Sequence, residues 1–407
     1  MNDAQFAELA SWLAEAGLGS SSGVDVVTGF CERAVAAGLP LARARVFVDT
    51  LDPVHESALF QWGQGAKAPA LMEFGRETLS DLPPSAVIPQ DLWRLSPFFR
   101  MEQRGDTFLR RLLSEAGEEF TVFNDLRREG MTDYIAIINR IAPGAAVGEM
   151  DCVYSSWISS RPEGFSDSDI DAVRRLSPFV ALAIKSVALT HTAHTLMKTY
   201  LGNDPARRVL SGTIERGIAD RIDAVLWFSD LRGFTRITDT APEEVIPLLS
   251  DYADAILSAV HDNGGDVLKL MGDGTLAIFT TEDRGHSCRN ALAAAIAARA
   301  SIKRLNEKRA SKGRPVTDMY VGLHVGEVFY GNVGSRARLD FTVIGPAVNE
   351  VSRIAAMCRS VDQPVLISTA FAAVDGMRDR LLSVGRYALR GVAKPQELFT
   401  LDPDSLS

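Results

Sequence analysis

Two aspartates stand where apolar runs end. Residues 225–235 read VLWFSDLRGFT, an apolar run closing on Asp230 and followed by a Gly-Phe-Thr turn. Residues 267–279 read VLKLMGDGTLAIF, two apolar runs around Gly272-Asp273-Gly274, which is the pattern of a hairpin with Asp273 at its tip. Carboxylates at the ends of neighbouring strands suit a cation such as Mg²⁺, which takes a few carboxylates and completes its shell with substrate phosphate oxygens. Taken singly, Asp230 also reads as a helix N-cap and Asp273 as an ordinary Asp-Gly turn residue. Lys269 lies four residues before Asp273 in an otherwise apolar strand, where a charge needs a partner or a route to water. Asn349 and Arg353 are four apart on an expected helix and share one face of it, which is either a solvated face or a reactive one.

The elements that must position these residues alternate. A strand over 222–229 leads to Asp230, and a helix over 242–262 carries its apolar residues at helical spacing. The Asp273 hairpin follows, then an Ala-rich helix over 285–309, the strand MYVGLHVGEVFYGNVG, a turn, and a helix opening at Ala347. This is an α/β arrangement with helices on a sheet. The chain of 407 residues suits two domains and a connector. A net charge of −9 argues against a nucleic-acid partner, which calls for a basic stripe. The four cysteines are far apart and match neither a metal-ligand spacing nor a disulfide framework. The amino terminus is acidic where a signal peptide is basic, and no run reaches the roughly 18 apolar residues of a membrane span. The expectation is a reduced, cytoplasmic protein with no membrane partner.

FSDLRGFT, KLMGDG and FTVIGPAVNEVSR, in this order and separation, resemble the three signature segments of class III nucleotide cyclases. The resemblance covers residues 221 to about 400. It implies attack of a ribose 3′-hydroxyl on the α-phosphorus of a nucleoside triphosphate, with release of pyrophosphate. Asp230 and Asp273 match the family's metal-binding aspartates, for Mg²⁺ or Mn²⁺ at two ions per site. The carbonyl of Leu231 adds a ligand, and the amides of Gly233, Phe234 and Thr235 face phosphate oxygens. Lys269 and Thr342 match the base-reading positions, and Lys with Thr is similar to the Thr-type adenylate cyclases, so ATP is the expected substrate. Asn349 and Arg353 match the pair that orients the ribose and stabilises charge on the α-phosphoryl group.

The chain departs from that pattern twice. Pro346 replaces an aspartate common in relatives, at a helix position where proline is comfortable. Tyr320 stands where many relatives place a phosphate-binding arginine, which leaves the triphosphate to Arg390 or Lys394 in LRGVAKP. Sites in this family form between two cyclase domains, so a chain with both residue sets and one such domain implies a head-to-tail homodimer. A non-catalytic nucleotide-binding regulator on the same fold and a guanylate cyclase are the alternatives.

Residues 1–190 read as a separate module. Helical spacing over 3–17 and 24–37 precedes strand-like runs at 41–51, 133–141 and 150–160, and a long helix starts near Ser166. The order is similar to GAF domains, small-molecule sensor modules, over about residues 20–190. The fold expected is therefore a GAF-like antiparallel sheet with an unknown small-molecule ligand, a helical linker over 191–220, and a cyclase domain over 221–402. Trp62, Phe98, Phe99, Tyr134 and Trp157 are candidate pocket or core aromatics. Val173, Val180, Ile184, Val187, His191, His194 and Leu201, with Ser177 and Lys198, fall on a 4-3 spacing expected to pair two chains in parallel.

Overall fold

Ala44, Val46 and Val48 are fully buried, while Arg45, Phe47 and Asp49 between them are less so. That alternation makes β1 (Arg43–Asp49) a strand with two different faces. The structure, a computed structural model, describes residues 1–63, 70–75, 93–114, 120–142, 146–148, 150–280, 283–390, 392 and 395–402. It divides into two units, Met1–Leu196 and Met197–Ser407.

In the first unit, α1 (Asp3–Leu18) and α2 (Gly23–Ala36) each open with a reciprocal capping box, Asn2 with Gln5 and Ser22 with Asp25. Beside β1 lie β2 (His55–Gly63), β3 (Leu71–Gly75), β4 (Phe108–Leu112), β5 (Asp133–Arg140) and β6 (Cys152–Ser159). They form one sheet in the order β3-β2-β1-β6-β5-β4, antiparallel throughout. Two short helices, α3 (Pro97–Arg104) and α4 (Thr121–Arg128), sit among the strands. The expected strands at 41–51, 133–141 and 150–160 are present. β2, β3 and β4 were not anticipated; β4, as FLRRL, has no clean alternation of apolar and polar residues to announce it.

One sheet face packs on α1, α2 and α5 (Asp167–Leu201) through Val26, Phe30, Val46, Trp157, Leu176 and Val180. Trp157 is therefore a core residue of the helix-covered face. Tyr134 and Phe98 belong to the opposite face, with Phe123 and Tyr154.

The long helix corrects the expected pairing seam. Val173, Ser177, Val180 and Ile184 are buried within their own unit, so this part of the 4-3 stripe faces its own sheet and is not free for a second chain. The exposed apolar residues on that stretch are Phe179 and Leu182, which lie off the stripe. Amphipathic spacing identifies the buried face of a helix without saying what buries it. Pro178 lies inside the helix without ending it. α5 also meets the length and composition of a membrane-spanning helix, with a window of mean hydropathy 1.3, unlike what the apolar runs suggested. Much of its apolar surface is what the sheet covers.

In the second unit, α6 (Asn203–Leu210) precedes β7 (Ala219–Leu231). Then come α7 (Phe234–Thr240), α8 (Val245–Asp262), and the hairpin of β8 (Asp266–Met271) and β9 (Gly274–Phe279). α9 (Arg284–Ser311), β10 (Met319–Ser335), β11 (Arg338–Ile344) and α10 (Pro346–Val361) follow. β12 (Val365–Ser368), α11 (Thr369–Ala372), β13 (Leu381–Tyr387) and β14 (Gln396–Leu401) complete it. The sheet runs β13-β14-β12-β10-β7-β9-β8, with β11 on β10. Among the described residues only β10 and β12 pair in parallel, so the sheet is mixed and mainly antiparallel. Where a turn was expected before α10, β11 forms a hairpin with β10.

Helices cover both faces of this sheet. α8 and α9 pack on Val225, Trp227, Val321 and Leu323, and alanines 291, 294, 295 and 298 let α9 approach closely. α10 packs on the other face against Ala224, Leu226 and Val328. A Cβ on Gly322 would lie 2.7 Å from the backbone of Val351 and Ala355, so glycine there sets the approach of β10 to α10.

Candidate active site

Asp230 is the penultimate residue of the central strand β7 and pairs in register with Tyr320 of β10. On the other side β9 runs antiparallel to β7, with Thr275 opposite Ser229. The turn that opens β9 is therefore delivered to the end of β7, and Asp273 comes beside Asp230. The Asp230 side chain is half-buried and its Oδ1 is buried without a hydrogen-bond partner. Burial pushes this carboxyl up to about 6; the negative charge of Asp273 adds to the rise, and Arg359 opposes it. Two carboxylates held together, one with an unsatisfied buried oxygen, form a donor set that fits a divalent cation. Among the described residues no three His, Cys, Asp or Glu side chains cluster as a metal site. A cation here would complete its shell with carbonyl, water or substrate oxygens, as Mg²⁺ does.

Beyond Leu231 the chain turns sharply. Gly233 has φ +67°, a left-handed conformation that glycine adopts without strain, and α7 begins immediately after it. The amides of Phe234 and Thr235 lie in the first turn of that helix, where no intrahelical acceptor exists. The amide of Arg232 donates to Asp318 O at 2.7 Å, and the Thr317 hydroxyl donates to Arg232 O, which fixes the turn.

Lys269 sits on β8 at a register shift against β9 and donates from Nζ to Asp340 of β11. Thr342 is two residues further along β11 and so shares a face with Asp340. Sequence reasoning passed over Asp340. Its signal was an acidic residue at i−2 from Thr342, visible as a partner for Lys269 only once β8 and β11 are known to be neighbours.

Asn349 and Arg353 lie on α10, Asn349 exposed and Arg353 half-buried, while Val351, Ile354, Ala355 and Cys358 are buried against the sheet. Pro346 occupies the start of that helix, where proline costs little. The Ser352 hydroxyl donates to the Asn349 carbonyl at 2.9 Å; among the described residues, no hydrogen bond or ion pair engages the side chain of Asn349 or Arg353, and none joins the Asp230 and Asp273 pair to Lys269 or Thr342.

Tyr320 is buried, with the Arg232 guanidinium 5.9 Å from its ring centroid. Arg359 on α10, also unanticipated, is the cation that acts on Asp230. Arg390 is exposed in the turn after β13, and Lys394 lies outside the described residues.

The second unit is thus a mixed sheet with helices on both faces and paired aspartates at the end of its central strand beside a Gly-Phe-Thr turn. Residues 219–402 match the model of the adenylate and guanylate cyclase catalytic domain. An adenylate cyclase of Anabaena cylindrica is 34% identical over 160 residues, covering 38% of this chain and 31% of that protein. Adenylate cyclase 1 of Rhizobium meliloti is 31% identical over 169 residues, covering 40% of this chain and 25% of that protein. The chain thus spans under a third of the length of these relatives. The crystal structure of the adenylyl cyclase CyaB from P. aeruginosa aligns with 46% of this chain and 96% of its own, at 25% identity and a TM-score of 0.42. That of the guanylyl cyclase Cya2 aligns with 45% and 93%, at 27% identity and a TM-score of 0.41.

Proposed function

We propose that this protein is an adenylate cyclase, converting ATP to 3′,5′-cyclic AMP and pyrophosphate at sites formed between two copies of the chain. The observation that carries the reading is the Asp230 and Asp273 pair, held together with a buried, unsatisfied carboxylate oxygen inside a domain of the cyclase family. Asp230, Asp273 and the Leu231 carbonyl would hold Mg²⁺ or Mn²⁺, which supplies neutralisation of polyphosphate charge and a lowered pKa for the ribose 3′-hydroxyl. The amides of Gly233, Phe234 and Thr235 donate to phosphate oxygens. Lys269, aimed by Asp340, donates to N1 of adenine, and Thr342 hydrogen-bonds near the exocyclic amine. Asn349 orients the ribose, and Arg353 stabilises charge building on the α-phosphoryl group. These last four residues come from the second chain, which accords with their lack of any link to the aspartates within one chain. The GAF-like unit regulates the reaction through a small-molecule ligand.

The test is turnover of ATP by the purified chain with Mg²⁺ or Mn²⁺, reading cyclic AMP and pyrophosphate by chromatography. Asp273→Ala is expected to abolish product while leaving the protein folded. Retention of activity within about tenfold of the parent, only about 1.4 kcal/mol, would exclude the metal role.

A further inference from the structure

Between β10 and α10, His324 stands in a gap that two glycines leave open. Along β10 the residues Gly322, His324, Gly326 and Val328 turn toward α10, while Val321, Leu323 and Val325 belong to the core under α8 and α9. A Cβ on Gly322 or on Gly326 would lie 2.7 Å from atoms of α10. His324 is therefore the side chain that spaces this stretch of strand from the helix. It is 5% exposed, and its Nδ1 is buried without a hydrogen-bond partner. Oε1 of Glu350, on α10, is 3.8 Å from that nitrogen, about 1 Å beyond an ordinary hydrogen bond. The same oxygen accepts from the amide of Gln396 on β14, which helps to fix it.

Little else acts on the ring. Its register partner on β7 is Leu226, and among the described residues Glu350 is the charged group that bears on it. Asp230 lies four residues further along β7 on the same face, and Arg353 three residues along α10 from Glu350. Among the described residues neither forms an ion pair with His324 or Glu350. Burial holds the His324 pKa below the ordinary imidazole value and Glu350 opposes the fall, so at neutral pH and above the ring is uncharged. A neutral ring with its proton on Nδ1 is a buried donor without an acceptor, which is costly where water is excluded.

We propose that His324 is the positioning residue of α10, donating from Nδ1 to Glu350 when the helix seats on β10 in the working site. Closing the gap takes a movement of about 1 Å by the first turns of α10, and Asn349, next to Glu350, travels with them. His324 touches no substrate. It acts through Glu350 on the helix that bears Asn349 and Arg353. This role rests on the proposed function and deepens it, by tying the placement of those two side chains to a bond on the buried side of their helix.

The experiment measures kcat and KM for ATP, and melting temperature, on the full chain and its variants. His324→Leu, which fills the space without a donor, is expected to lower kcat about tenfold with KM within about twofold, since misplaced transition-state groups act on kcat. His324→Asn, whose amide puts a donor where Nδ1 stands, is expected to recover most of that loss. Glu350→Gln weakens the bond from the other side and is expected to lower kcat about threefold; joined to His324→Leu it should cost nothing more. Parental kcat in His324→Leu or Glu350→Gln, an effect confined to KM, an Asn variant no better than Leu, or multiplied losses in the double variant overturns the role. If His324→Leu does not fold, Glu350→Gln decides the matter, parental kcat again overturning it. A parent that makes no cyclic AMP overturns the proposed function instead. Melting temperatures then read the pair, with non-additive shifts expected from the two substitutions and additive shifts overturning the link between them.

Discussion

At the residue scale, Asp230 is a carboxyl whose burial opposes its charge. Its carboxyl is raised to about 6, above the ordinary carboxylate value, so the stability it contributes is fully present below about pH 3.8 and lost as pH rises through about 6. In chelator at pH 8, Asp230→Asn is therefore expected to raise the melting temperature of the second unit by about 2–4 °C. The advantage should shrink as pH falls below 6, where the parent's carboxyl is already neutral. An unchanged or lower melting temperature at pH 8 would mean that the carboxylate is compensated in some other way. The same substitution is expected to abolish turnover. Lys269 makes a second case. Its ion pair with Asp340 is half-exposed and worth little to stability, so the proposed use of the pair is to aim an ammonium group. Lys269→Glu is expected to erode the preference for ATP over GTP, measured as the ratio of kcat/KM, with the melting temperature within a degree or two. Equal production of cyclic GMP and cyclic AMP by the parent would remove the base-reading role.

At the element scale, the hairpin of β8 and β9 and the helix α10 carry the candidate site residues, and both were legible. Apolar runs around Gly272-Asp273-Gly274 specify a hairpin locally, and Pro346 at the first turn marks where α10 begins. The depth at which α10 sits was not legible, because it depends on Gly322, a residue on β10 more than twenty positions upstream. Gly322→Ala places a methyl group against helix backbone that has no flexible end to yield. It is expected to lower the melting temperature of the second unit and to reduce kcat by tenfold or more through displacement of Asn349 and Arg353, with metal-dependent stabilisation retained. A variant with parental kcat would show that α10 tolerates movement. α5 teaches the opposite lesson. Its stripe was clear in the sequence, but spacing alone does not distinguish a helix covered by its own sheet from one that pairs with another chain.

At the scale of the whole molecule, the second unit holds both residue sets, and among the described residues no side-chain hydrogen bond or ion pair joins them. Asp273→Ala and Arg353→Ala chains are each expected to be inactive alone and to recover on mixing, since a mixed dimer has one site with both lesions and one with neither. With free exchange, half the dimers are mixed and each has one working site of two, so recovery should approach about a quarter of parental activity. Exchange confirmed by labelling, without recovery, would place the two sets in different sites.

The sequence by itself determined the candidate reactive parts: the two aspartates, the Lys269 and Thr342 positions, the Asn349 and Arg353 pair, and the alternation of strands and helices that bears them. Each is encoded within a window of about a dozen residues, where turn letters, capping and periodicity act. Tertiary structure decided everything that depends on which strands are neighbours. It placed Asp273 beside Asp230 through the β7 and β9 pairing, gave Lys269 its partner Asp340, and buried the first part of the α5 stripe in its own unit. Strand order and burial are set by contacts between residues tens to hundreds of positions apart, and no local pattern carries that information.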